Sequence, residues 1–151
     1  MNTTLSNQIR TDVRGAYGSV SSPNWSFCEK RYANHPYGGL IEQLAHVGAT
    51  QETTDLNDDV SVVVFVDLDG DQGLTIRLSL VGKYACVSNS AGIFLPEQEL
   101  LDDRRSRKIL ELVRQEGVSI LRPQELSEQF NFGDGLATVY EVLFSADEAN
   151  G

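Results

Sequence analysis

The hydrophobic pattern is most regular between Val60 and Asn89. Val62 to Val66 is the longest apolar run in the chain, β-branched apart from Phe65, and reads as a strand covered on both faces. Asp67-Leu-Asp-Gly-Asp-Gln-Gly follows with turn-forming residues. Leu74, Ile76, Leu78 and Leu80 then alternate with Thr75, Arg77, Ser79 and Val81, the period of a half-buried strand. Val81-Gly82-Lys83 makes a second tight connection, and Tyr84 to Asn89 reads as a third strand. Together they predict an antiparallel meander over about residues 60–89.

Helical periods flank the meander. Leu40, Ile41, Leu44 and Val47 recur on one face behind Pro36, with Gly48 as a stop, and predict a helix over about 37–48. Leu101, Ile109, Leu112 and Val113 give a buried stripe to a second helix, about 97–116. Its acids (Glu97, Glu99, Asp102, Asp103) precede its bases (Arg104, Arg105, Arg107, Lys108, Arg114), the order the helix macrodipole favours. Pro123 starts a short helix over about 123–129. Ile93-Phe-Leu and Val118 to Leu121 offer further short strands. A closing strand is expected over about 137–145, carrying Val139, Tyr140, Val142, Leu143 and Phe144. Residues 50–59 read as a polar, acidic loop.

Before residue 35 the chain is polar, with a short helical pattern only at Leu5–Val13. Trp25, Phe27, Tyr32 and Tyr37 nevertheless mark this arm (1–34) as packed on the body. The expected architecture is a single two-layer α+β domain over 35–145, with helices on one face of an antiparallel sheet, followed by a tail at 146–151.

Charge changes this picture more than bulk composition does. The apolar share of 40% and charged share of 23% are those of a globular domain, and 151 residues suffice for one core. The net charge is −10, but residues 1–36 carry +2, residues 37–103 carry −10 and residues 104–151 carry −2. Such acidity opposes nucleic acid and anionic membrane; solubility alone is the preferred reading of it, and attraction of a basic partner the alternative. No run reaches the ~20 apolar residues of a membrane span. The first ten residues show neither a basic nor an apolar leader segment. Two widely spaced cysteines, Cys28 and Cys86, read as free thiols. A cytoplasmic setting is therefore expected.

Candidate chemistry is sparse. Asp67, Asp69 and Asp71 have the spacing of half a calcium loop, yet Gly sits at positions four and seven and Leu78 at position twelve, so a hairpin turn is the better reading. His35 and His46 are too few for a zinc site. No nucleophile elbow, phosphate loop or dinucleotide fingerprint is present, and a Cys–His pairing has no supporting signature. The run Arg104-Arg105-x-Arg107-Lys108 is weighed as a salt-laced helix face against a phosphate contact, and the former is preferred. No catalytic residue, metal or cofactor is expected.

With its acidic block, central meander, and the stretches Gly117-Val-Ser-Ile-Leu-Arg-Pro-Gln-Glu-Leu and Thr138-Val-Tyr-Glu-Val-Leu-Phe, the chain resembles immunity proteins that neutralise bacterial polymorphic or contact-dependent-inhibition toxins. The resemblance implies a non-catalytic cytoplasmic antidote that masks a basic, nuclease-like toxin domain, as a monomer or homodimer. Asp55, Asp58 and Asp59, with Asp67, Asp69 and Asp71, are the expected partner-facing acids. A secretion-chaperone-like homodimer is the alternative, and a small enzyme the third.

Overall fold

A computed structural model describes residues 1–69 and 72–145; Asp71 and the 146–151 tail lie outside the described residues. In chain order the elements are α1 (Thr3–Tyr17), α2 (Phe27–Ala33), α3 (Gly38–Leu44), β1 (Ala49–Glu52), β2 (Ser61–Asp69), β3 (Gln72–Ser79) and β4 (Tyr84–Asn89). They continue with α4 (Glu97–Leu100), α5 (Arg104–Gln115), β5 (Ser119–Ile120), α6 (Pro123–Leu126), β6 (Gln129–Phe132), β7 (Gly135–Thr138) and α7 (Val139–Leu143). The fold is α+β.

The predicted meander is present as β2–β3–β4, antiparallel, with Val62 opposite Leu78 and Leu78 opposite Ala85. β1 extends it antiparallel on the β2 side, and β5 adds a parallel strand beside β4. A strand at 49–52 departs from the expected acidic loop, because Ala-Thr-Gln-Glu is a largely exposed edge strand with no apolar alternation to reveal it. Gly48 allows this pairing: a Cβ there would collide with the backbone carbonyl of Asp67. α3 accordingly ends at Leu44, short of the expected residue 48.

Strand alternation divides the core. Val62, Val64, Val66, Leu74, Ile76, Leu78, Ala85 and Val87 pack with Leu40 and Leu44 of α3 and with Ile109, Leu110 and Val113 of α5. Tyr84 and Cys86 point to the other face, where they join Ile9, Val13 and Tyr17 of α1 and Val139, Val142 and Leu143 of α7. The sheet is thus covered on both faces rather than one. α1 accounts for the second cover: Asn2 caps it by accepting from the Leu5 N–H at 2.8 Å, and its buried residues recur every four positions.

Four expected elements are replaced by shorter ones. The 97–116 helix is broken at Leu101–Asp103, and Asp103 caps α5 by accepting from the N–H groups of Arg105 (3.1 Å) and Ser106 (3.0 Å). The closing strand over 137–145 exists only as the end of β7, since Val139–Leu143 is helical. Thr138 Oγ1 accepts from the Glu141 N–H at 3.1 Å, so Thr138-x-x-Glu141 is a helix start. Five apolar residues among seven fit a buried turn of helix as well as a strand. The expected 123–129 helix likewise stops at Leu126, and Gln129 already begins β6. The Ile93–Leu95 strand reduces to a single bridge between Ser88 and Phe94.

Candidate functional site

Tyr17, the last residue of α1, organises the most distinctive surface of the molecule. Its ring meets Phe27 at 4.8 Å, Phe132 at 5.0 Å and Trp25 at 5.5 Å, each edge-on, and Trp25 meets Phe132 at 6.0 Å. Its hydroxyl donates to the Val142 carbonyl at 2.6 Å, which ties α1 to α7. Burial pushes that hydroxyl far above the ordinary tyrosine range, so it acts as a fixed donor. The loop before α2 is held by Asn24 N–H to the Tyr17 carbonyl (3.1 Å) and by Gly133 N–H to the Val20 carbonyl (2.7 Å). Trp25 is therefore positioned from three directions, yet 45% of its surface is exposed.

An open cleft lies on each side of Trp25. The first, about 540 Å³, runs between Trp25, Tyr17, Phe132 and Leu136, with Asp134 and Glu141 among its lining residues. Leu136 stands 65% exposed beside it. The second, about 470 Å³, runs past Leu56 and carries Glu29, Asp58 and Asp59. Five carboxylates line the two clefts, and among the described residues neither is lined by a lysine, arginine or histidine. An exposed, rigidly backed indole inside a one-signed rim has the composition of a protein-binding hot spot.

Five of the six expected acids lie among the described residues, Asp71 being outside them, and the five are distributed unequally around this surface. Asp58 and Asp59 line the second cleft. Asp59 is largely buried, accepting from the Asp55 N–H at 2.9 Å and from Arg77 at 3.3 Å, and burial raises its carboxyl pKa despite both contacts. Asp55 shapes the same loop by accepting from the Asn57 N–H at 3.1 Å. Asp67 and Asp69 occupy the far end of β2, on the order of 25 Å away at strand rise. Asp69 there faces Arg105 at 3.3 Å. The two groups do not form one patch.

Sequence reasoning missed Trp25, Leu136, Asp134 and Glu141. Asp134 reads as a turn former, and Trp25 gives no sign in sequence that it is exposed rather than buried. Other chemistry has little support in the geometry. Among the described residues no group of three or more His, Cys, Asp or Glu is placed to hold a metal. Cys28 and Cys86 are buried free thiols, pushed up by burial to about 11 and about 12 respectively, so neither is set up as a thiolate nucleophile. No helix among the described residues is long and apolar enough to cross a membrane. Comparison with family models, curated proteins and solved structures finds no match to this chain.

Proposed function

We propose that this protein is a non-catalytic antidote that neutralises a basic, nuclease-like toxin domain by binding over it, in the manner of an immunity protein. One observation carries the reading: Trp25 is held exposed between two clefts lined by five carboxylates and no cation among the described residues. Acids on the rim steer a basic partner and speed encounter, whereas a desolvated aromatic anchor slows dissociation. A domain whose own active site binds phosphodiester backbone must be cationic there, which is the complementary surface. The two free, buried cysteines fit a reducing, cytoplasmic setting.

The test is genetic and simple. The product of the adjacent reading frame is expressed alone and together with this protein. Growth arrest by the neighbour alone, relieved by co-expression and accompanied by a one-to-one complex, is the expected result. A neighbour that is neither toxic nor retained by this protein overturns the reading.

A further inference from the structure

A second cleft system lies on the opposite side of the sheet, where α3 and α5 pack. It is open, about 760 Å³, and runs between the end of α3 and the first two turns of α5. His46, Arg104, Arg105, Arg107 and Lys108 line it, with Glu111 as its one carboxylate among the described residues. On a chain of net charge −10 this concentration of cations is the inverse of the general balance. We propose that it binds a compact, multiply charged phosphate anion, with Arg104 and Lys108 as the principal ligands.

The cations fall into two sets. Arg105 is committed to the rim, donating to the Leu68 carbonyl and facing Asp69. Arg107 donates twice to the Leu101 carbonyl, at 2.9 and 3.2 Å, and fixes the turn before α5. The side chains of Arg104 and Lys108 have no hydrogen bond and no carboxylate within 4.0 Å among the described residues. Four residues apart on one helix, they stand one above the other on the same face.

Their position runs against the stability of the helix. The break at Leu101–Asp103 makes Arg104 the first residue of α5, so its cation sits at the positive end of the macrodipole. Like charges four residues apart add repulsion. α4 shows the ordinary arrangement, with Glu97 and Glu99 in its first turn. A local arrangement that disfavours folding and has no structural partner marks a site kept for a ligand. Asp103 satisfies the helix end itself, so what an anion would relieve is the repulsion between the two side chains.

The chemistry narrows the ligand. Asp103 already occupies the N–H groups of Arg105 and Ser106, so the anion is gripped by side chains rather than by a backbone nest. Paired cations with an arginine fork suit phosphate oxygens. The cleft has the volume of a small-molecule site. No Phe, Tyr or Trp lines it among the described residues, and the overall charge repels an extended polyanion.

The experiment titrates the full chain with tripolyphosphate by calorimetry at low ionic strength. Saturable one-to-one binding is expected, weakened about tenfold or more in Arg104→Gln and in Lys108→Gln. Arg114→Gln, on the same helix but outside the cleft and paired with Glu97, is expected to bind as the wild type does. Circular dichroism confirms that each variant is folded, and glutamine preserves helix propensity. Absence of saturable binding, equal weakening by Arg114→Gln, or tighter binding of duplex DNA than of tripolyphosphate each overturns the proposal. None of these outcomes bears on the Trp25 surface.

Discussion

Arg77 Nη1 lies 3.3 Å from Asp59 Oδ1, joining the middle of β3 to the loop that leads into β2. The same guanidinium sits 5.8 Å over the ring of Tyr140, so one side chain ties the sheet to both the loop and α7. Removing Asp59 leaves a half-buried arginine without its carboxylate and frees the Asp55 N–H. Asp59→Ala is therefore expected to lower stability by about 1–3 kcal/mol in urea denaturation.

The sign of the pH dependence at this pair is also fixed. Burial raises the folded pKa of Asp59 above its ordinary value, so the native state binds that proton more tightly than the unfolded chain. The contribution of Asp59 is fully present below the unfolded carboxyl pKa and is lost as pH rises through the folded one. Relative to Asp59→Asn, which does not titrate, the wild type is expected to gain stability as pH falls through that window. Paired urea curves from pH 7 to pH 4 measure it, and an opposite slope contradicts the burial effect.

Tyr17 and Trp25 separate stability from recognition. Tyr17→Phe removes a buried donor to the Val142 carbonyl and is expected to cost about 1 kcal/mol of stability. Trp25→Ala loses mainly edge contacts with Tyr17 and Phe132 and is expected to cost a similar ~1 kcal/mol, leaving the fold intact at ordinary temperature. Circular dichroism melts compare the two.

Cys28 and Cys86 report on folding. With thiols pushed up to about 11 and about 12 and both side chains buried, native protein at pH 7.5 (roughly a unit under the ordinary thiol pKa) is expected to react slowly with iodoacetamide. Denaturant is expected to expose both to rapid labelling, counted by mass spectrometry.

Asp103 and Arg104 make opposite contributions to α5. Asp103→Ala removes the cap and is expected to destabilise by about 1 kcal/mol. Arg104→Gln removes a cation from the positive end of the helix and is expected to stabilise by about 0.3–1 kcal/mol. Urea midpoints for both variants check the signs.

The meander was legible because period-two alternation fixes both register and face: Leu74, Ile76 and Leu78 could only point one way. The helix break at Leu101–Asp103 was not, since the apolar stripe of Leu101, Ile109 and Leu112 continues across it and conceals the Asp103 cap. That break reverses the meaning of the basic run, from bases completing one long dipole to bases opening a short one. Val139–Leu143 was ambiguous on hydrophobicity, and Thr138-x-x-Glu141 was the cue that resolves it. The acidic block was visible, but its spatial division was not: Asp59 lies in the loop before β2 and Asp67 near the far end of that strand. Trp25 and Glu141 come to line one cleft through the packing of α1 against α7 and the β6–β7 hairpin, long-range contacts that local pattern does not encode.

Charge reversal at the rim acts on rate. Asp134→Lys is expected to slow association with the partner and flatten its salt dependence while changing dissociation little, as read by stopped-flow at two ionic strengths. Asp67→Lys, at the far end of β2, is expected to change both much less.

The decisive quantity is the dissociation constant of purified Trp25→Ala for the toxin partner beside that of the wild type, measured by calorimetry with both proteins shown to be folded. A loss of about 30-fold or more is expected of a central aromatic anchor. Equal affinity in the two proteins contradicts an interface built on Trp25 and its carboxylate rim.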